Sequence, residues 1–153
     1  MPEISKPAPD FTLPSTDGSD VTLSGLKGQP VVLFFYPRDN TPGCTKESVG
    51  FSENRDAFAQ AGALVFGISK DSMASHEKFV AKKDLTVPLL SDEHGSACEG
   101  FGVWKEKSMY GKKFMGIERT TFLIAADGTI ARIWPKVKVP GHVDEVLDAV
   151  RAL

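Results

Sequence analysis

The chain has 153 residues, 41% of them hydrophobic and 25% charged, the make-up of one soluble domain spanning residues 1–153. A chain of this length buries about 68–70% of the surface its unfolded form exposes, so it needs neither a disulfide framework nor a structural metal to fold. The net charge is −2 with Lys and Arg scattered, which argues against nucleic acid or an anionic membrane as a partner.

The early turns "PAPD" and "STDG" frame a short strand at 11–13, and "DVTLSGLKG" offers a second at 21–23. Together they predict an N-terminal β-hairpin. "VVLFF" (31–35) is a continuous apolar run, the mark of a central strand covered on both faces. Pro37 stops it. Thr41 has the character of a helix N-cap and Pro42 sits at the first helical position, where proline is favoured. That helix is predicted to run to Ala61 and end at Gly62.

"ALVFGIS" (63–69) reads as another buried strand. "SMASHEKFVAKKDL" reads as a helix with Met73, Phe79 and Val80 on its apolar side, "PLLSD" as a short strand, and "SDEHGSACEGFGVW" as a short helix ending near Gly102. After the polar stretch "KEKSMYGKKFMG", "TTFLIAADGTIARIW" gives two alternating strands joined by Asp127-Gly128, a strong hairpin signal. In "HVDEVLDAVRAL", Val143, Val146, Leu147 and Val150 recur at helical spacing and predict an amphipathic helix. Alternating β and α segments argue for a parallel centre, and the late hairpin adds antiparallel strands. The predicted class is α/β: a thioredoxin-like fold with a central mixed sheet flanked by helices.

Two cysteines are too few for a secreted disulfide scaffold. The opening "MPEISKPAPDF" has no apolar signal-peptide core, and no apolar run approaches the roughly 18 residues of a membrane helix. The expected compartment is the cytoplasm.

Cys44 falls at the third position of the helix that follows the central strand. The first helical turn carries unpaired N–H groups and the positive end of the dipole, which favour a thiolate over a thiol. Open α/β sheets hold their sites at this end of the strands. Gly43 leaves the approach to the sulfur uncrowded.

Pro37, Thr41 and Cys44 reproduce the P-x-x-x-T-x-x-C signature of peroxiredoxins. "FFYPRDNTPGCTKE" resembles the bacterioferritin comigratory protein, or peroxiredoxin Q, branch. The likeness extends from "PAPDFTLPSTDG" through "LLSDEHGSACEGFGVWKEKSMYGKKFMGIERTTFLI" to "ADGTI". The resemblance implies a peroxidatic Cys44 that attacks a peroxide oxygen and becomes a sulfenic acid. It implies that Thr41 hydrogen-bonds the thiolate and peroxide and that Pro37 shields them from water. The N–H groups of Gly43 and Cys44, after Pro42, would face the substrate oxygens. The family's active-site arginine maps to Arg119 in "GIERTTFLI", and Glu47 matches its C-T-x-E, where it would orient an arginine. Glutamate early in a helix also suits the dipole without any such role.

Many members of that branch carry a resolving cysteine five residues after the first; here the position is Val49. Five residues rise about 7.5 Å along a helix, beyond the roughly 4.4–6.8 Å Cα separation of a disulfide. The remaining thiol, Cys98, is read either as a small buried residue or as an atypical resolver. The expected catalyst is a monomeric one-cysteine peroxidase, reduced by thioredoxin, glutaredoxin or glutathione.

No metal or cofactor is expected, since His76, His94 and His142 lie far apart in sequence and read as surface residues. Lys105, Lys107, Lys112 and Lys113, diluted by Glu106 and Glu118, read as a solvated hairpin or loop, and Trp104 and Tyr110 either border the site or simply pack. Two other classes stay open. A disulfide reductase needs both cysteines of C-x-x-C, and Thr41 stands in place of the first. A non-catalytic binding protein would keep the fold with an unreactive Cys44.

Overall fold

The computed structural model describes residues 2–153. Strands β1 (Thr12–Leu13) and β2 (Val21–Thr22) pair antiparallel, the predicted N-terminal hairpin, and a 3-10 turn follows at Leu23–Leu26. Strand β3 (Val31–Phe35) is buried along its whole length. It occupies the centre of a five-stranded sheet that also contains β4 (Leu64–Ser69), β5 (Leu89–Ser91), β8 (Thr120–Ile124) and β9 (Ile130–Trp134), in the order β5-β4-β3-β8-β9. Strands β3, β4 and β5 run parallel, and β8 and β9 are antiparallel. The sheet is mixed, as the order of segments implies.

Successive side chains of a strand point to opposite faces, and β3 divides accordingly. Val31, Leu33 and Phe35 join a core covered by the N-terminal segment and helix α4 (Ser96–Gly100). Val32, Phe34 and Tyr36 join a second core beneath α1 (Pro42–Glu53), α2 (Arg55–Gln60), α3 (Met73–Lys83) and α5 (His142–Arg151). On that second face a Cβ at Gly67 would come within 2.7 Å of Phe34 Cζ. The bare glycine lets the Phe34 ring lie over β4 and stack on Phe51 at 4.5 Å. This contact seats α1 on the sheet and so places its first turn.

Two expectations are corrected, the single long helix and the surface histidines, and the choice of hairpin or loop for the lysine-bearing polar stretch falls to the hairpin. The single helix predicted to reach Ala61 is two helices that meet at Asn54, whose backbone leaves the helical region (ψ 7°). Asn54 Nδ2 donates to the Gly50 carbonyl at 2.8 Å, a side-chain bond of the kind that competes with the helix ladder. The chain does stop at Gly62: at φ +86°, its N–H reaches Ala59 O and that of Ala63 reaches Phe58 O, a Schellman ending. The polar stretch folds as strands β6 (Trp104–Met109) and β7 (Lys112–Ile117), paired antiparallel. Tyr110 (φ +53°) and Gly111 (φ +77°) make a turn with both centres left-handed, as two-residue hairpins prefer. Finally, His76 and His142 are buried, not superficial, because each has hydrogen-bond partners inside, as described below. Among the described residues no helix is long and apolar enough to cross a membrane.

Candidate active site

Thr41 is the N-cap of α1 with extended backbone (φ −90°, ψ 155°), and Pro42 follows at the first position. The first intrahelical bond runs from Thr45 N–H to Thr41 C=O at 2.8 Å, so the N–H groups of Gly43 and Cys44 precede the ladder and are free to bind an anion. The Thr41 side chain does not cap the helix, which corrects one part of the expectation. Its hydroxyl donates to the Arg38 carbonyl at 3.0 Å instead. With its proton placed there, Thr41 Oγ1 has only lone pairs left to offer, and the hydrogen bond to Cys44 Sγ comes from Arg119 and not, as expected, from Thr41.

Arg119 stands immediately before β8, whose first residue, Thr120, pairs with Phe35 at the end of β3. Its Nη2 donates to Cys44 Sγ at 3.2 Å and its Nη1 to Glu47 Oε1 at 2.7 Å. Its own carbonyl accepts from Val137 N–H at 2.9 Å, which ties its backbone to the loop after β9. The guanidinium lies on Gly43, where a Cβ would sit 3.1 Å from Nη2. Glycine at 43 therefore makes room for the arginine as well as for an incoming substrate. Cys44 is 1% exposed.

Glu47 lies one turn beyond Cys44 with its side chain fully buried. Burial pushes its carboxyl up from 4.5 to about 7, against the lowering attraction of Arg119. Oε2 has no hydrogen-bond partner, which accords with a group close to neutrality. The structure thus brings Cys44, Thr41, Gly43, Glu47 and Arg119 to one end of β3 and the start of α1. Pro42 is exposed beside them, and Pro37 is half-buried at the start of the loop.

Sequence reasoning missed the residues that fasten this loop. The Tyr36 hydroxyl donates to Asp39 Oδ1 at 2.6 Å, and Asp39 Oδ2 meets His76 Nδ1 at 2.7 Å and the Ser75 hydroxyl at 2.8 Å. Asp39 N–H donates to Asp71 Oδ2 at 2.8 Å. Burial would raise the Asp39 carboxyl, but the hydrogen bonds from His76 and Tyr36 outweigh it and hold it below the usual range. His76 Nε2 is 2.9 Å from the Leu90 carbonyl. Residues 36–39, just upstream of Cys44, are thereby clamped to the end of β4 and to α3. Asp39, Asp71 and His76 bring possible metal-ligating atoms within 4.8 Å of one another, although protein donors already engage them. A buried histidine 37 residues from its carboxylate leaves no local signal in a sequence.

Cys98 belongs to the other core. It packs with Phe35 and Phe101 on the face of the sheet opposite Cys44, and its N–H donates to Asp92 Oδ2 at 2.7 Å. Burial, reinforced by Asp92, pushes its thiol far up. Trp104 carries the Lys70 ammonium 4.0 Å from its ring centroid, and Tyr110 stands 97% exposed at the hairpin tip. His142 Nε2 is 2.8 Å from Thr121 Oγ1, and burial lowers its ring to about 4.

The AhpC/TSA family model matches residues 4–133. A putative peroxiredoxin bcp of Coxiella burnetii is 51% identical over 145 residues, covering 95% of this chain and 96% of its own. A solved structure of the Xanthomonas campestris bacterioferritin comigratory protein, described as bearing on alkyl peroxide reduction, superposes with a TM-score of 0.91 at 42% identity, covering 98% of both chains. A mutant of Xylella fastidiosa peroxiredoxin Q superposes with a TM-score of 0.94 at 41% identity, covering 99% of this chain and 97% of that one. The chain belongs to the AhpC/TSA family and is a peroxiredoxin of the bacterioferritin comigratory protein branch, with Val49 where many members hold a second cysteine.

Proposed function

We propose that this peroxiredoxin reduces hydrogen peroxide and organic hydroperoxides through Cys44, in a one-cysteine cycle completed by an external thiol. The observation that carries this reading is the 3.2 Å contact from Arg119 Nη2 to Cys44 Sγ, made at the N-terminal turn of α1. A cation and free helix N–H groups both favour sulfur as the thiolate.

The thiolate attacks the terminal oxygen of the peroxide. An S–O bond forms, the O–O bond breaks, and the departing oxygen keeps the electron pair until it takes a proton and leaves as water or an alcohol. Cys44 is oxidised to the sulfenic acid. Thr41 Oγ1, its own proton committed to Arg38, accepts the peroxide O–H and so orients the terminal oxygen toward sulfur. Arg119 and the N–H groups of Gly43 and Cys44 stabilise the charge that moves from sulfur to oxygen. Pro37 and the fastened loop keep water out, and Glu47 fixes the plane of the guanidinium.

The sheet lies between Cys44 and Cys98, which supports a resolving thiol from outside: thioredoxin, glutaredoxin or glutathione. We place the enzyme in the cytoplasm as a monomer, consistent with its two free thiols. Two measurements test the reading together. Cys44→Ser must abolish peroxide consumption. Mass spectrometry after one equivalent of peroxide must show a sulfenic acid or mixed disulfide at Cys44. Turnover retained in the variant would overturn the peroxidase assignment. An internal Cys44–Cys98 bond formed at the rate of turnover would overturn the one-cysteine cycle.

A further inference from the structure

The loop between β3 and α1 contains one peptide group that is held at both ends. The N–H of Asp39 donates to Asp71 Oδ2 at 2.8 Å, and the carbonyl of Arg38, in the same peptide group, accepts from the Thr41 hydroxyl at 3.0 Å. A trans peptide is planar, with its C=O and N–H pointing in opposite directions. The carboxylate that takes the N–H therefore also aims the carbonyl. An anionic acceptor on the N–H polarises the group and makes its carbonyl a better acceptor in turn. Asn40 has left-handed backbone (φ +59°), which asparagine tolerates, and the bend it makes lets the Thr41 side chain return to a carbonyl three residues back.

Asp71 is itself fixed. It stands two residues past the end of β4, where its Oδ2 also accepts from the Ser69 hydroxyl at 2.6 Å and its N–H donates to Ser69 Oγ at 3.1 Å. Its carbonyl accepts from the hydroxyl of Ser91, on β5, at 2.6 Å. Ser69 and Ser91 are both buried. Asp39 is held separately, through its carboxylate, by Tyr36, Ser75 and His76. The sheet thus supplies a rigid anchor, and Asp71 transmits it to a single carbonyl.

That carbonyl decides what Thr41 does. A threonine at an N-cap ordinarily accepts from the N–H of the second or third helical residue, here Gly43 or Cys44. Thr41 makes no such bond. If it did, it would occupy a donor that the mechanism above gives to the substrate. Building on the peroxidase reading, we propose that Asp71 is a positioning residue for Thr41: by holding the 38–39 peptide it keeps the Thr41 hydroxyl on the Arg38 carbonyl, so that the N–H groups at the start of α1 stay uncapped and Thr41 Oγ1 keeps its lone pairs for the peroxide O–H. Asp71 touches neither sulfur nor peroxide. Without it the peptide is free to turn, and Thr41 reverts to the ordinary cap.

The test compares wild type with Asp71→Ala, Asp71→Asn, Ser72→Ala, Thr41→Val and the double variant of Asp71→Ala with Thr41→Val. Stopped-flow measures the rate of Cys44 oxidation by hydrogen peroxide. Asp71→Ala should slow it about tenfold, and Asp71→Asn, which keeps an acceptor oxygen, should recover most of the rate. In the Thr41→Val background, removing Asp71 should cost less than about twofold, since the hydroxyl it acts through is gone. Ser72→Ala removes the cap of α3 next to Asp71, and it should lower the melting temperature without slowing oxidation. Amide hydrogen exchange followed by NMR needs no peroxide. The Asp39 N–H should be protected in wild type and exchange faster in Asp71→Ala, while the Gly43 or Cys44 N–H should exchange more slowly in that variant. A wild-type oxidation rate in Asp71→Ala, an equal slowing with and without the Thr41 hydroxyl, no recovery in Asp71→Asn, or a matching rate loss in Ser72→Ala would each overturn the proposal. An unprotected Asp39 N–H in wild type would overturn it even if Asp71→Ala did not fold. If the wild-type protein consumed no peroxide, the peroxidase reading would fail, while the exchange data would still decide whether Asp71 governs Thr41.

Discussion

Replacing Glu47 by glutamine tests which force sets the charge state beneath Cys44. Glu47 is fully buried, with Oε1 2.7 Å from Arg119 Nη1 and Oε2 unpartnered. Burial outweighs the arginine and lifts the carboxyl from 4.5 to about 7. The folded protein therefore keeps this proton up to about pH 7, whereas the unfolded chain releases it near 4.5. Across that window the native state binds more protons, so this group makes stability fall as pH rises, and its contribution is flat above the window. At about 1.4 kcal/mol per decade of proton affinity, the full change is on the order of 3 kcal/mol. Glutamine keeps the shape and has no proton to lose. His142 acts in the opposite sense. Burial lowers it from 6.5 to about 4, so the unfolded chain takes up its proton first and stability rises with pH over that range. Both proteins share His142, so it cancels in their difference. Urea unfolding of wild type and Glu47→Gln from about pH 5 to about pH 8 should show wild type losing ~2.5 kcal/mol relative to the variant. A difference independent of pH, or one that grows in favour of wild type as pH rises, would refute the reasoning. It would mean that Arg119 keeps Glu47 ionised throughout.

Gly43→Ala adds a Cβ 3.1 Å from Arg119 Nη2 at a position with ordinary helical backbone. Peroxidase activity should fall roughly ten- to a hundredfold through displacement of the guanidinium, while helix propensity changes stability by at most about 1 kcal/mol in favour of the variant; stopped-flow oxidation and thermal melting separate the two. Asp39→Asn removes the anion from the buried cluster with His76, Tyr36 and Ser75, and chemical denaturation should show a loss of ~3–5 kcal/mol. Cys98→Ala should leave the rate of Cys44 oxidation and the nature of its oxidised product unchanged, with a stability loss of about 1–3 kcal/mol from the core.

The elements were legible wherever one local rule governed them. The apolar run at β3, the proline at the start of α1, the Asp127-Gly128 turn and the apolar stripe of α5 each state their structure within a few residues. The place of Cys44 in the first turn after a strand-to-helix junction was legible for the same reason. The break at Asn54 was not, because an asparagine in a helical pattern announces no choice between solvent and the Gly50 carbonyl. Thr41 was half-legible: its N-cap position is a local property, but the partner of its hydroxyl depends on where the loop places the Arg38 carbonyl. Only the family pattern points to Arg119, since 75 residues separate it from Cys44. His76 and Asp71 lie furthest from what sequence shows. A histidine or aspartate on a polar segment is ordinarily solvated, and only tertiary placement gave one a buried carboxylate and the other the Asp39 N–H.

The contacts of α1 differ between its first turn and its second, where Val49 lies. The first turn is the weakly held end. Pro42 has no N–H, and the N-cap side chain makes no capping bond. The second turn is different: Glu47, Ser48 and Phe51 are all buried, and Phe51 stacks on Phe34 at 4.5 Å. An external thiol needs only the first turn to loosen, leaving Glu47 on Arg119. A thiol introduced by Val49→Cys asks for more. At about 7.5 Å of rise against a limit of roughly 6.8 Å between bonded Cα atoms, it closes onto Cys44 only if the helix unwinds through Glu47 and Ser48. Peroxide treatment of Val49→Cys should therefore yield a disulfide together with a loss of helical circular dichroism of about two turns. The wild-type protein, oxidised to its sulfenic acid, should retain that signal. A disulfide formed in the variant with the helical signal intact would show that the second turn does not hold in solution as its buried contacts imply, and equal helix loss in the oxidised wild type would show that oxidation alone unwinds it.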